Sequence, residues 1–269
     1  MVEVIEDLTI LVPVKDDRRV IECLASRDVA CPVLVVLNGA TATFEGWVRS
    51  SLPEDARVMS LPEPGLGRAY NRGLEACTTE YALLMDSDCR FAPGTIARLR
   101  RGLAHAPLSK GRVVFESDDW PSSIVAQYRH FHTSDFVNAY SPPLALSRTV
   151  LRMMLGGFFH EQLEWSEDFE FDRRVRARGL RIHHDPEARI FHPAISPRAD
   201  LRAAFNYGRG HAIGERLGVL PSADLPLPLR VRRQWRHFEA VRRAKSLPAA
   251  LYSVVWNEVL TLGRRRVLS

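Results

Sequence analysis

The chain has 269 residues, 46% hydrophobic and 26% charged, which fits one large domain or two small ones with a sizeable core and excludes collagenous, low-complexity and broadly disordered classes. Cys23, Cys31, Cys77 and Cys89 lack CxxC spacing, which argues against structural zinc or a disulfide framework and for buried, reduced thiols. The net charge of +5 is uneven: residues 230–269 hold nine arginines and Lys245 against Glu239 and Glu258, a net +8 that leaves −3 for residues 1–229.

That asymmetry predicts an acidic partner for the tail and argues against a nucleic-acid enzyme with a basic groove over its body. No nucleic-acid recognition motif occurs, so no nucleic acid is expected as a partner. Met1 to Asp7 is acidic and Leu8 to Val14 is strand-length with Pro13 inside it, unlike a signal peptide. The longest mostly apolar stretch, Leu247 to Leu262, carries Pro248, Asn257 and Glu258 and falls short of the roughly 20 apolar residues of a spanning helix. The expected compartment is the cytoplasm.

In chain order, LTILVPV (Leu8 to Val14) and PVLVVL (Pro32 to Leu37) read as buried strands of a parallel sheet. Between them, Asp16 or Asp17 is placed to cap a helix with Val20, Ile21 and Leu24 on one face. Arg57 to Leu61 is a third strand. Gly67 to Cys77 is a helix with Tyr70, Leu74 and Cys77 on one side, YALLM (Tyr81 to Met85) is a fourth strand, and Ile96, Leu99 and Leu103 mark another helix. This β-α-β-α order predicts a parallel α/β sheet. Further on come strands at Arg112 to Phe115 and Leu144 to Ser147, and a helix over Thr149 to Leu155 ending at Gly156-Gly157. A charged helix follows from Ser166 to Arg178, stopped by Gly179, and a last strand spans Ala188 to His192. Glu116 to Ser141 is irregular but too aromatic to be disordered.

The strand YALLM runs into Asp86-Ser87-Asp88. Carboxylates at i and i+2 where a parallel strand ends meet the crevice at the carboxyl edge of the sheet, and such a pair can hold Mg²⁺ or Mn²⁺ against substrate phosphates. A helix-capping turn before Pro93-Gly94 is the plainer account of the same residues. A second acidic group fills Glu161 to Asp172, six acids in twelve residues, followed by Arg173, Arg174, Arg176 and Arg178. Acids first and arginines last suit a helix macrodipole, with Ser166 as N-cap. The turn Gly156-Gly157-Phe158-Phe159 before it and His192 at a strand end lie outside that explanation.

Together these segments resemble glycosyltransferase family 2, from about Leu8 to Gly214. LTILVPVKD is similar to its opening strand, VLVVLNGA to its second strand and turn, and PGLGRAYNRGLEAC to a Gly-rich helix with the Ala69-x-Asn71-x-Gly73 core. LLMDSDC, GGFFHEQLEWSEDFEFDRRVRARGLRI and ARIFHP follow in that family's order. The resemblance implies an α/β protein of the GT-A, Rossmann-like type, a mostly parallel sheet flanked by helices, with a C-terminal helical extension. Residues 1–218 would be the catalytic domain, with a nucleotide-sugar half over about 1–110 and an acceptor half over about 111–218, and 219–269 the basic extension.

Carried over by position, the resemblance implies Asp88 and Asp86 at an Mn²⁺ or Mg²⁺ ion, with Asp86 also near the ribose. His192 completes metal or diphosphate binding, Asp168 is the catalytic base, and Glu167 faces the acceptor or orients the base. Pro13, Val14 and Asn38 line the nucleobase pocket, and Arg68 and Arg72 approach the diphosphate. Two departures bear on the base: Leu37 stands where many members have an aspartate, and Tyr70 where many have an arginine. The donor is expected to be a nucleotide-diphospho-sugar, with a UDP-sugar favoured, and the acceptor an unknown hydroxyl.

The expected activity is inverting, metal-dependent hexosyl transfer. A nucleotidyltransferase would want a glycine-rich basic loop after the first strand, and PVKDDRRV contains no glycine. A nucleotide- or glycan-binding module without turnover would not need Asp86, Asp88, Asp168 and His192 together. Trp120 and Tyr128 are either faces of an acceptor wall or core. In the tail, arginines bracket the stripe Leu251, Val255, Val259 and Leu262. This predicts either packing against the protein itself or a second subunit, or peripheral contact with the inner membrane face through 230–269.

Overall fold

The computed structural model describes residues 3–155 and 157–268. Its elements are β1 (Glu3–Val4), β2 (Leu8–Val14), α1 (Val20–Ala25), β3 (Val29–Ala30), β4 (Val33–Asn38), α2 (Ala42–Ser51), β5 (Ala56–Leu61), α3 (Leu66–Ala76), β6 (Tyr81–Leu84), β7 (Arg90–Phe91), and α4 (Thr95–Gly102). They continue with β8 (Leu108–Phe115), α5 (Trp120–Thr133), β9 (Leu144–Ser147), α6 (Arg148–Leu155), α7 (Glu167–Ala177), β10 (Ile182–His192), α8 (Pro197–Arg216), α9 (Leu227–Ala244) and α10 (Leu247–Leu268).

Eight strands form one sheet in the order β5-β4-β2-β6-β9-β8-β10-β7, and β1 and β3 make a separate two-stranded pair. The strands β5, β4, β2 and β6 run parallel, with Val12 opposite Val35 and Leu11 opposite Leu84. All seven residues of β2 are buried, which is why the run reads as continuously apolar rather than alternating: helices cover both faces of a parallel sheet. β9 is antiparallel to β6 and β8, and β7 to β10. All four cysteines are buried and free.

Two local expectations change: the Glu116 to Ser141 segment, expected to be irregular, holds the 14-residue helix α5 with Asp119 as its N-cap, and neither Asp16 nor Asp17 caps α1. The N-cap of α1 is Arg19, without a side-chain cap bond. Asp17 instead accepts from the Arg19 amide at 3.0 Å, and Asp16, at φ 53°, accepts from the Thr41 amide and hydroxyl at 2.9 Å each. Of the turn at Gly156-Gly157, Gly156 lies outside the described residues.

The described residues group into two units. The first takes the residues up to Val113, Val137–Gln162 and Glu167–His192, and its core gathers Leu11, Leu34, Tyr70, Leu84, Phe159 and Phe171. The second takes Val114–Phe136, Leu163–Ser166 and the residues from Pro193 on. Residues 114–136 and 193–218 therefore group with the C-terminal helices rather than with the sheet.

The second unit is built on α5, α8, α9 and α10, and its core includes Tyr128, Phe131, Ala204, Val241 and Trp256. Tyr128 is thus a core residue and offers no face to an acceptor, whereas Trp120 is exposed. The Arg129 guanidinium is buried against Asp200, whose other oxygen accepts from the Tyr252 hydroxyl at 2.7 Å. Helices α8 and α10 cross on glycine: a Cβ on Gly208 would lie 1.9 Å from the Leu260 carbonyl, and one on Gly263 2.0 Å from the Phe205 carbonyl. No helix among the described residues is long and apolar enough to cross a membrane.

Candidate active site

The site lies within the first unit, at the carboxyl edge of β2 and β6. The Met85 amide donates to the Leu11 carbonyl at 3.0 Å, the last rung before the chain leaves the sheet, so Asp86, Ser87 and Asp88 emerge where strand pairing stops. The buried Tyr70 hydroxyl of α3 donates to Asp86 Oδ1 at 3.1 Å. Burial pushes the Asp86 carboxyl up to about 7, and the neighbouring Asp88 charge adds to the effect. The Tyr70 hydrogen bond and the Lys110 charge oppose it.

Asp88 meets His192 through strand register. The antiparallel pair β7–β10 sets Phe191 opposite Arg90, so the next residue, His192, comes level with Cys89 and beside Asp88. Its Nε2 is 3.7 Å from Asp88 Oδ2. Donor atoms of Asp88, Cys89 and His192 all lie within 4.8 Å of one another. Arg19 approaches the same carboxylate, 3.5 Å from Oδ2, while it pairs with Asp17 at 2.7 Å. Burial and the Asp86 and Asp88 charges hold the Cys89 thiol well above its ordinary pKa.

Helix α7 supplies the second set of acids, and two of its four hold arginines. Glu170 holds Arg174 at 2.6 Å and Asp172 holds Arg176 at 2.7 Å, both at i, i+4. Asp172 also accepts from the Ala139 amide at 2.8 Å. Asp168 makes no ion pair among the described residues; its carboxylate accepts from the Phe169 amide at 2.7 Å and from its own backbone amide. Burial raises its carboxyl to about 6, opposed by the Phe169 amide and by the charge of Lys110. Glu167 beside it is buried.

Lys110 of β8 is 1% exposed, and its Nζ donates to the carbonyls of Tyr140 at 2.5 Å and Pro142 at 2.8 Å. Burial brings its ammonium down to about 7, opposed by the Asp168 and Asp86 charges. One buried cation therefore acts electrostatically on both carboxylates, one at the end of a strand and one at the start of a distant helix.

Helix α3 shows why an Ala-x-Asn-x-Gly core suits this position. Asn71 clamps the loop before α7, donating to the Phe159 carbonyl and accepting from the Phe159 amide, each at 2.9 Å. A Cβ on Gly73 would stand 2.3 Å from Leu11 Cδ1, so only glycine lets the helix lie this close to β2. Asn38 Oδ1 accepts from the Gly65 amide at 2.8 Å, tying the end of β4 to the start of α3. Pro13 and Val14 are buried at the end of β2. Arg68 pairs with Glu63 at 2.6 Å and lies 3.6 Å from Glu161, and Arg72 pairs with Glu75 at 2.9 Å.

Lys110, Cys89 and Arg19 are the site residues that sequence reasoning passed over. A lysine inside the strand LSKGRVVF is the one signal that could have been read, because lysines are almost never fully buried without a partner. Nothing in the sequence marks Cys89 or Arg19, which matter only through their distance from Asp88.

A model of the family described as "Glycosyl transferase family 2" matches residues 12–141, a span that contains Asp86 and Asp88 and stops short of Asp168 and His192. The pre-mycofactocin glycosyltransferase of Mycobacterium tuberculosis (strain ATCC 25618 / H37Rv) is 25% identical over 204 residues, 69% of this chain. The match spans 42% of that relative's length. Among solved structures, the mannosyltransferase PcManGT from Pyrobaculum calidifontis, in complex with GDP-Man and Mn²⁺, superposes with a TM-score of 0.64 and 18% identity over 97% of this chain and 87% of that one. S. aureus TarS 1-349 in complex with UDP-GlcNAc gives 0.53 and 15% over 97% and 92%. These likenesses show the GT-A fold.

Proposed function

Because the chain carries a glycosyl transferase family 2 domain, we propose that it transfers a hexosyl group from a nucleotide-diphospho-sugar to an acceptor hydroxyl, with inversion at the anomeric carbon and Asp168 as general base. The observation that supports this most directly is the shared field of Asp86, Asp168 and Lys110. Asp86, which follows β6, and Asp168 of α7 are both half-buried, and the charge of the buried Lys110 acts on each of them.

The donor set at Asp88 suits a divalent cation. A carboxylate oxygen and an imidazole nitrogen are available, and burial together with the Asp86 and Asp88 charges opposes ionisation of the Cys89 thiol. That favours Mn²⁺ or Mg²⁺ over thiolate-seeking metals. Asp88 and His192 would hold the ion, with Asp86 beside them. When bound, the cation offsets the negative charge that builds on the departing diphosphate.

The chain's own groups supply the rest. Asp168 takes the proton of the acceptor hydroxyl as that oxygen attacks C1, which removes the need for a covalent nucleophile. Glu167 orients the base. Lys110 keeps both Asp86 and Asp168 more acidic than their burial alone would make them, and Tyr70 fixes the Asp86 carboxylate. Pro13, Val14 and Asn38 bound the nucleobase pocket, Arg68 and Arg72 lie toward the diphosphate, and the favoured donor is a UDP-sugar.

A thermal-shift panel of UDP-, GDP- and dTDP-sugars with and without Mn²⁺ tests this reading, since a ligand that binds only the native state raises apparent stability. One nucleotide sugar should raise Tm only when Mn²⁺ is present, and Asp88→Ala should abolish that shift. Undiminished Mn²⁺-dependent binding by Asp88→Ala would remove the metal assignment.

A further inference from the structure

Beyond glycosyl transfer, and independent of it, we propose that the exposed face of α9 and α10 docks on an anionic lipid surface. The side of α10 that packs inward carries Ala249, Ala250, Ser253 and Trp256. Leu251, Val255 and Leu262, three of the four residues of the apolar stripe read from the sequence, are instead about half exposed. On α9, Val231 and Trp235 are exposed one turn apart, and the Trp235 ring stacks on Phe238 with centroids 5.6 Å apart.

Between the two helices lies a groove of about 430 Å³ lined by Val231, Trp235, Phe238, Leu251 and Val254, with Arg230 and Glu258 supplying its charges. A contiguous apolar surface with large exposed side chains marks a contact surface rather than ordinary scatter.

The charge pattern selects the occupant. Arg232 and Arg236 each follow one residue after Val231 and Trp235, so they form a second row displaced by one helical step from the apolar one. Arg265 and Arg266 stand in the last turns of α10. These four arginines are exposed. Arg242 and Arg243, by contrast, pair with Glu239, and Arg264 with Glu215 and Asp224.

A second copy of this chain would bring a like-charged face against this one and be repelled. A nucleic acid would take the arginines but gain nothing from Leu251 and Val255. An anionic bilayer takes both, cations at the headgroups and Trp, Leu and Val at the acyl boundary. No helix among the described residues is long and apolar enough to cross a membrane, so the contact is one that lies on the surface.

The test uses the full chain with vesicles of phosphatidylcholine alone and of phosphatidylcholine with phosphatidylglycerol, read by flotation and by quenching of tryptophan with brominated acyl chains. Binding should need the anionic lipid, fall steeply with salt, and show quenching that Trp235→Ala removes. Arg232→Gln with Arg236→Gln should weaken binding about 25-fold, two cations at a factor of roughly five each. Trp235→Asp with Leu251→Asp should weaken it at least about 10-fold. Both pairs are exposed, so Tm should hold, and Tm is measured alongside.

Three results overturn the proposal: absence of flotation with anionic vesicles at low salt; flotation without quenching that survives the aspartate pair, which is adsorption by charge alone; or a dimer by light scattering that Leu251→Asp dissolves, which makes a second copy the occupant.

Discussion

The Tyr70 hydroxyl donates to Asp86 Oδ1 across 3.1 Å, linking the middle of α3 to the carboxylate that ends the β6 segment. Tyr70 is fully buried and carries no charge. It therefore steadies the Asp86 anion by a hydrogen bond rather than by a charge.

Tyr70→Phe removes that bond while it preserves the packing of the ring against Phe159. Stability should fall by about 1 kcal/mol. Because the hydrogen bond lowers the Asp86 pKa, its loss should move the carboxyl above about 7. Mn²⁺-dependent donor binding at pH 7, followed by calorimetry, should weaken and recover as pH is raised.

Asp168 carries a carboxyl raised to about 6, and a general base works only when deprotonated. Turnover should therefore rise with pH through about 6 and level off above it, with donor and metal kept saturating. Asp168→Asn should still bind donor and metal while kcat falls by at least about 10²-fold. Near-normal turnover would move the base to Glu167 or Glu164, since Glu170 is held by Arg174.

Lys110→Met keeps the length of the side chain and deletes its charge. The Lys110 charge lowers both carboxyls, so the acidic limb of the pH–rate profile should shift to higher pH. The Tyr140 and Pro142 carbonyls lose their donor, at a cost of about 1–3 kcal/mol. A profile that stays in place would show that the lysine only supports those carbonyls.

Asp200 is 0% exposed and faces the Arg129 guanidinium. Asp200→Ala leaves that buried cation uncompensated and should cost about 3–5 kcal/mol in a denaturant titration. The pair Arg129→Met with Asp200→Leu, which removes both charges, should recover most of that loss.

Much of the fold was legible because it rests on local periodicity. Leu8 to Val14 and Pro32 to Leu37 read as short, β-branched apolar runs of strand length, and the structure has buried strands there, Leu8–Val14 and Val33–Asn38. Asp86 and Asp88 directly follow a buried strand, so their place at its carboxyl end needed no knowledge of the rest of the chain. The 69–73 core of α3 and the acids at the start of α7 were likewise visible as spacing and charge.

Tertiary structure alone decided what depends on register and burial. Asp88 and His192 share a site because β7 pairs antiparallel with β10, a non-local pairing that no periodicity encodes. Lys110 acts on Asp86 and Asp168 because β8 is buried inside the sheet, where its charge is poorly screened. Tyr128 turned inward while Leu251 and Val255 stayed exposed, since an amphipathic pattern marks an apolar face without saying what covers it. Sequence set the identity and local spacing of the chemical groups. The distances between them came from strand order, and their acidities from how much water each strand and helix excludes.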